Sequence, residues 1–207
     1  MTAYTEKILK DIQENLSNSE IEEYFNKKCY LSKNEFGEVI NALILSYNHD
    51  ALKIALASKK FKDNVDVQNQ YGEPIVHAIL YAIRDVCKSD EIAEPHKLQF
   101  KASLFEILND TSFNFNWNLT DYFEANNPLH IIALMTEWMT MDEITRFVQI
   151  CLDQSINPLN KNYNHNSPIE LFLASNIDAE QKNSLVKNLA QVSDKYLIEI
   201  TENAYTE

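Results

Sequence analysis

The chain has 207 residues, of which 45% are hydrophobic and 24% are charged. This composition is ordinary for a globular protein, excludes a disordered chain and provides enough apolar residues for a sizeable core. The 31 acidic and 18 basic residues give a net charge of −13, which opposes binding to the phosphate backbone of a nucleic acid. The charge either attracts a protein partner with a basic surface or belongs to solvated helix faces.

No pattern in the sequence indicates export or a membrane span. The N-terminal segment has no basic region followed by an apolar stretch, and no apolar run approaches 18 residues. The scattered cysteines Cys29, Cys87 and Cys151 predict reduced thiols rather than a disulfide framework. We expect a cytoplasmic protein, or one translocated into a host cell without a conventional signal peptide, and no membrane insertion.

Glycine is rare in this chain and asparagine is abundant, with 2 and 23 residues respectively. After glycine, asparagine is among the residues that best tolerate a left-handed backbone conformation. We therefore expect asparagine at many of the tight corners.

Apolar residues recur three and four positions apart along nearly the whole chain, which predicts helices. The first helix carries Ile8, Ile12 and Leu16 on one face. The next three are headed by Ser19, by a capping box that starts at Ser32, and by Asp50. The remaining predicted helices span Ile75–Val86, Lys97–Leu108, Pro128–Met139, Asp142–Leu152, Pro168–Ala174 and Ala179–Ser193.

Long polar stretches separate some of these helices. They cover Lys62–Tyr71, Ser112–Asn127 and Ser155–Ser167, and all three are rich in asparagine. Pairs of helices separated by such loops are typical of helical solenoids.

A short motif recurs at three of the predicted helix starts. Asn127–Ala133 reads N-P-L-H-I-I-A and resembles the ankyrin signature T-P-L-H-x-A-A. Gly72–Ile79 reads G-E-P-I-V-H-A-I and resembles G-x-T-P-L-H-x-A, with its proline one place early. Asn157–Ile169 aligns without gaps to D-P-N-x-x-D-x-x-G-x-T-P-L. Over roughly residues 33–195, the chain is similar to the ankyrin-repeat family.

The resemblance implies an all-α, ankyrin-like solenoid of paired antiparallel helices with long Asn-rich hairpin loops. It predicts one domain over residues 1–207, with about four repeats, an N-terminal helical cap over 1–31 and a C-terminal tail over 196–207. The repeats cover about 33–66, 67–112, 113–157 and 158–195.

In this family the motif residues are structural. Proline suits a first helical turn, and Ser or Asn before it accepts a bond from an unpaired N–H. The resemblance implies that the histidine braces this turn against the neighbouring hairpin loop. The predicted structural residues are His77, Asn127, Pro128, His130, Ser167 and Pro168.

The same resemblance implies that a partner protein binds at the hairpin loops and the exposed face of the inner helices. Aromatic residues and methionine are common anchors of such interfaces. Alternatively, Trp117, Tyr122 and Phe123 pack beneath their own long loop. The candidate partner-binding residues are Gln70, Tyr71, Glu73, Tyr81, Trp117, Tyr122, Phe123, Glu124, Asn126, Leu134, Met135, Lys161, Tyr163, Asn164 and Asn166.

We therefore expect a protein-binding adaptor, effector or inhibitor, of bacterial or phage origin, with no catalytic residues and no cofactor. No phosphate-binding loop, HExxH or GxSxG motif is present. The alternative is an enzyme or metal-dependent protein whose site lies in the 88–127 insertions. There, Asp90, Glu91, Glu94 and His96 form the only compact cluster of potential metal ligands, which a solvated loop explains equally well.

Overall fold

A computed structural model describes residues 3–14, 16–28 and 30–204, with side chains for residues 5–14, 16–27 and 30–191. The described part confirms the all-helical prediction, since it contains no β-strand beyond one isolated antiparallel bridge between Gln68 and Pro74. The chain forms two compact units, Met1–Tyr122 and Phe123–Glu207.

The first unit contains seven of the described α-helices. Among its helices, α3 contacts α1, α4 and α6, while α7 contacts α4 and α6. A π-helical turn, Tyr24–Lys28, continues α2. The helices are α1 (Ala3–Glu14), α2 (Asn18–Glu23), α3 (Lys33–Leu45), α4 (His49–Ala57), α5 (Lys59–Lys62), α6 (Ile75–Lys88) and α7 (Glu94–Asn109).

Helix α3 forms because its apolar residues recur at helical spacing and its first turn is capped. Phe36, Ile40 and Leu43 are fully buried on one face. The Ser32 hydroxyl accepts a hydrogen bond from the Glu35 N–H at 3.3 Å, and the Glu35 carboxylate accepts one from the Ser32 N–H at 2.9 Å. This capping box is the one that the sequence predicts.

Gly37, in the middle of α3, allows two backbones to approach each other. A Cβ atom at this position would lie 1.8 Å from the Gln68 carbonyl oxygen. Glycine costs about 1 kcal/mol relative to alanine inside a helix. The close approach explains its presence here, because any side chain would force α3 away from residues 67 and 68.

Helix α4 begins at His49, just after a sharp corner. Tyr47 has a left-handed φ of 60° and ends the preceding helical segment. The cap of α4 is Asn48, whose side chain accepts a hydrogen bond from the Ala51 N–H at 3.2 Å. Our expectation that Asp50 caps this helix is therefore wrong, because the corner at Tyr47 lets the helix start two residues earlier.

The second unit contains four of the described α-helices and a 3-10 turn at Thr136–Trp138. Helix α8 contacts α9 and α10, and α11 contacts α9 and α10. Helix α11 continues to Ala204, so it covers most of the predicted C-terminal tail. The helices are α8 (Pro128–Leu134), α9 (Met141–Asp153), α10 (Pro168–Ala174) and α11 (Ala179–Ala204).

Asparagine does not occupy the left-handed corners of the described chain, contrary to our expectation. Besides Gly72, the residues with positive φ there are Tyr47, Ala125, Ser155 and His165. Asparagine acts instead through its side chain, because its amide can cap helices and close turns without leaving the ordinary backbone regions.

Candidate functional site

Three loops share one backbone pattern just before a helix. In each, a residue with left-handed φ stands two places before the helix N-cap. This spacing turns the chain sharply and then aims it into the first helical turn. The left-handed residues and their caps are Gly72 with Pro74, Ala125 with Asn127, and His165 with Ser167. We refer to residues 69–73, 123–126 and 162–166 as the loop tips.

A buried asparagine closes the loop tip of the first unit. Asn69 is 6% exposed, and its side-chain oxygen accepts from the Tyr71 N–H at 2.9 Å and the Glu73 N–H at 3.0 Å. Its own N–H donates to the Glu73 carbonyl at 2.9 Å. Its side-chain amide donates to Asn41 on α3 at 3.1 Å, which fixes the loop tip to that helix.

Asn162 plays the same part in the second unit. Its side-chain oxygen accepts from the Asn166 N–H at 3.0 Å, and its N–H donates to the Asn166 carbonyl at 3.0 Å. Its side-chain amide donates to Asn126 at 2.8 Å. The Tyr163 N–H donates to the Glu124 carbonyl at 2.8 Å, so the two loop tips of this unit are hydrogen-bonded to each other.

His130 joins the start of α8 to the loop tip before α10. The ring is 1% exposed, and its Nδ1 accepts from the Asn127 N–H at 3.1 Å. This bond makes Nε2 the protonated nitrogen, which donates to the Asn166 carbonyl at 3.1 Å. The ring therefore spans from one helix start to the next loop tip.

The other predicted motif residues also lie buried at helix starts. Asn127 and Ser167 are N-caps whose side chains accept from the third helical N–H, at 3.2 Å and 3.4 Å. Pro128 and Pro168 both occupy the first helical position and are buried. His77 is fully buried at the position in α6 that His130 holds in α8, three residues after the N-cap.

Large aromatic side chains project from the loop tips into solvent. Tyr71 is 54% exposed, Phe123 65% and Tyr163 68%. Tyr122 is also exposed, at 73%, and it lies beside the loop tip of the first unit. A Cβ atom added to Gly72 would be 2.9 Å from the Cβ atom of Tyr122. Glu73 and Tyr81 are half-buried, and the other exposed candidates are Gln70, Glu124, Leu134, Lys161, Asn164 and Asn166.

Three of the predicted partner-binding residues are buried, so their assignment to an exposed surface is wrong. Trp117 is 5% exposed, while Asn126 and Met135 are fully buried. Asn126 accepts the hydrogen bond from Asn162 and so belongs to the loop framework. Met135 directly follows α8 and packs in the interior.

Buried aromatic residues that we did not predict lie in the same stretch as Trp117. Phe113 and Phe115 are each 7% exposed, with ring centroids 6.0 Å apart. Phe115 also meets the ring of Phe61 edge-on at 5.8 Å. The alternation F-N-F-N-W over residues 113–117 is the signal that could have revealed them, because every second side chain of an extended segment points to the same side.

Acidic groups gather near the loop tip of the first unit. The Tyr81 hydroxyl donates to Asp121 at 2.9 Å, and the Arg84 guanidinium lies 4.6 Å from the centre of the Tyr81 ring. Partial burial raises the pKa of Glu73, and the charges of Asp121 and Asp85 act in the same direction. The hydrogen bond from Asn69 opposes this shift. The positive charge of Arg84 opposes it as well, so charges of both signs act on this carboxyl.

The candidate metal ligands of the alternative hypothesis are spread over a solvated loop and a helix start. Asp90 and Glu91 precede α7, whereas Glu94 and His96 lie in its first turn, and all four are exposed. Among the residues that the structure describes, no three His, Cys, Asp or Glu side chains are grouped to hold a metal ion. Burial raises the pKa of the Cys151 thiol, so it is a poor nucleophile near neutral pH.

The described residues form an all-helical fold in which hydrogen-bonded loop tips carry exposed aromatic residues. Comparison with known families finds no family model that matches the chain, and no curated protein matches it either. Within the described ranges, no helix combines the length and the apolar character needed to cross a membrane.

Proposed function

We propose that this chain is an ankyrin-like solenoid that binds another protein through its loop tips. Within each unit, two successive helix pairs contact each other first helix to first helix and second helix to second helix. Stacked repeats of a solenoid make contacts in this order. The shared loop pattern before α6, α8 and α10 supports the same interpretation.

Exposed aromatic residues on rigid loops carry the binding proposal. Tyr71, Phe123 and Tyr163 are all more than half exposed, although burial of such side chains releases much free energy. Asn69 and Asn162 already hold two of these loops in place. A partner that covers the aromatic rings therefore gains apolar contact area with little loss of backbone entropy.

The charge of the chain favours a partner with a basic surface. The net charge is −13, and Glu73 and Glu124 lie at the loop tips beside the aromatic residues. Complementary charge speeds association and selects the orientation of a partner. An adaptor, effector or inhibitor role, of bacterial or phage origin and without catalytic activity or cofactor, fits such a surface.

Site-specific photo-crosslinking tests the proposal. Benzoylphenylalanine replaces Tyr71, Tyr163 or Tyr30, one at a time, in cells that produce the chain. Tyr30 is the matched control because it is 84% exposed but lies outside the loop tips. We expect the same protein to be captured from Tyr71 and from Tyr163, but not from Tyr30.

Binding measurements with the captured protein complete the test. Truncation of Tyr163 to alanine should weaken binding by about 2 kcal/mol, as interface anchors commonly do. Glu143→Ala on α9 and Lys187→Ala on α11 should change it little, since remote charges contribute weakly. Equal capture from Tyr30, or a larger loss from the Glu143 and Lys187 variants, would contradict binding through the loop tips.

A further inference from the structure

The corner between α3 and α4 packs against the N-terminal half of α7 through three rings. The centre of the Tyr47 ring lies 4.5 Å from that of the Phe100 ring, and the centre of the His49 ring lies 5.3 Å from it. The Tyr47 and His49 rings are stacked on each other at 6.2 Å. We refer to Tyr47, His49 and Phe100 as the corner cluster, and no loop-tip residue belongs to it.

Phe100 anchors the N-terminal half of α7. It is 1% exposed, whereas none of the preceding helix residues, 94–99, is buried. The C-terminal half of the helix has its own buried residues, among them Leu104, Ile107 and Leu108. Residues 94–100 therefore have a single buried anchor, and two of its neighbours are Tyr47 and His49.

His49 fits its place as a neutral ring only. The imidazole donates a hydrogen bond to the Ile44 backbone, and Nε2 is buried without a hydrogen-bond partner among the described residues. Protonation adds a hydrogen to Nε2 that has no acceptor, and it places a charge where water has little access. Both changes cost free energy, and burial accordingly lowers the pKa of this histidine.

The charges around the ring do not compensate this cost. Lys53, one turn further along α4, disfavours a charged ring, whereas Asp50 favours it. From α7, Glu106 pairs with Lys53 at 2.7 Å, and His96 is exposed. His49 is also the first residue of α4, where the positive end of the helix dipole disfavours a cation.

A cavity beside the ring gives a displaced imidazole room to move. It has a volume of about 250 Å³ and lies between residues 47–50 and residues 96–103. Its wall includes His49, Asp50 and His96. Tyr47 has a φ of 60°, which is unfavourable for a residue with a large side chain. Opening of the corner therefore also relieves backbone strain.

We propose that protonation of His49 opens the corner cluster and frees the N-terminal half of α7, while the rest of the first unit stays folded. The proton comes from solvent and binds Nε2. The charged ring then leaves Phe100 and turns through the cavity towards water, where Asp50 is exposed. The closed cluster is favoured above the ordinary histidine pKa of 6.5 and is destabilised as the pH falls below it.

Amide hydrogen exchange of the full-length chain tests the proposal, with NMR detection of single residues and correction for the intrinsic effect of pH on exchange. We expect the protection of residues 98–101 to fall about tenfold between about pH 7.5 and about pH 5, because the open form takes up a proton that the closed form does not. Low concentrations of urea should leave their exchange unchanged, because a local opening exposes little surface. Residues 39–44 of α3 should exchange faster in urea.

Variants connect the opening to His49. His49→Gln cannot take up the proton, so the tenfold loss of protection at residues 98–101 should disappear. His96→Gln is the matched control, because His96 lines the same cavity but is exposed, and it should keep the loss. His49→Phe, which also stays neutral, takes the place of His49→Gln if that variant does not fold.

Three results would overturn the proposal. One is a protection of residues 98–101 that does not change between the two pH values. Another is the same loss of protection in His49→Gln and in the wild type. The third is an exchange of residues 98–101 that depends on urea as strongly as that of α3, since the whole unit would then unfold together. If neither His49 variant folds, the urea dependence in the wild type decides the question.

Discussion

His130 illustrates how a single side chain links two parts of the second unit. Its Nδ1 accepts from Asn127 at the start of α8, and its Nε2 donates to Asn166 in the next loop tip. Both partners are backbone groups, and the ring is 1% exposed. Water cannot easily replace the bond to Asn127, because that N–H is buried.

Replacement of His130 with alanine should reduce the free energy of unfolding by about 1–3 kcal/mol, because the buried Asn127 N–H loses its acceptor and the Asn166 carbonyl loses one of its two donors. Denaturant melts of the variant measure this loss. His96→Ala on α7 is the control, since His96 is exposed and should change stability little. If His130→Ala lost no more unfolding free energy than His96→Ala, the hydrogen bonds of His130 would not contribute to stability.

Ala125 holds a left-handed conformation with φ of 54°, which its Cβ atom disfavours. Ala125→Gly should therefore raise the free energy of unfolding, by about 0.5–1 kcal/mol. Ala102→Gly is the matched control, because Ala102 is exposed within α7 and the same substitution should cost about 1 kcal/mol there. Denaturant melts that show destabilisation in both variants would contradict the strain at Ala125.

The pKa of His49 lies below its ordinary value of 6.5, chiefly because the ring is partly buried, and the charge of Lys53 adds to the effect. The unfolded chain therefore takes up a proton at a higher pH than the folded chain does. The stability contribution of the neutral ring is present above the unfolded pKa and is lost as the pH falls below it.

Replacement of His49 with glutamine should make stability less sensitive to acid. Between about pH 7.5 and 5.5, the wild type should lose more unfolding free energy than His49→Gln does. The measurement is a series of denaturant melts across that pH range, with His96→Gln as the control at an exposed histidine. If the unfolding free energy of His49→Gln and of the wild type fell equally with pH, other titratable groups would cause the acid sensitivity.

Among the structural elements, the loop tips are held in their conformation by side-chain hydrogen bonds rather than by glycine residues. Asn69 and Asn162 each pair with the backbone four residues later and also donate to another asparagine. Capping boxes at Ser32, Asn127 and Ser167 then start the helices with their first N–H groups satisfied.

Substitution of Asn162 tests this framework against a neighbour of the same type. Asn162→Ala should cost about 1–3 kcal/mol, since the Asn166 N–H and the Asn126 side chain lose a buried partner. Asn164→Ala, two residues further on and exposed, should stay within about 0.5 kcal/mol of the wild type. If urea melts showed the same loss of unfolding free energy in both variants, the hydrogen bonds of Asn162 would not stabilise the loop tips.

At the scale of the whole molecule, charge decides which partners can approach. The net charge of −13 repels the phosphate backbone of a nucleic acid. It therefore opposes binding, which is driven mostly by the counterions that basic residues release from the phosphates. It also favours association with a basic surface, in a way that added salt weakens.

We expect no binding of DNA or RNA to this chain at physiological salt. Gel-shift and fluorescence-anisotropy measurements with duplex DNA, single-stranded DNA and structured RNA check this expectation. The control repeats them at low salt, where non-specific electrostatic binding is strongest. Binding in the micromolar range at physiological salt would show that local basic groups outweigh the overall charge.

The helical character of the chain and many of its helix starts can be predicted from residue patterns alone. Apolar spacing and capping residues are local signals, and the predicted start of α10 and the box at Ser32 agree with the structure. The start of α4 was missed because it depends on the corner at Tyr47. No pattern of residue types predicts that a tyrosine adopts a left-handed backbone conformation.

Which loop residues are exposed and which are buried depends on how the folded chain packs. Trp117 and Tyr122 belong to one long polar stretch, yet the first is 5% exposed and the second 73%. Burial depends on contacts with residues that are distant in sequence, such as those between Phe61 and Phe115. For the same reason the packing of residues 47–50 against residues 96–103 could not be predicted from the sequence, because these residues meet only where α4 packs on α7.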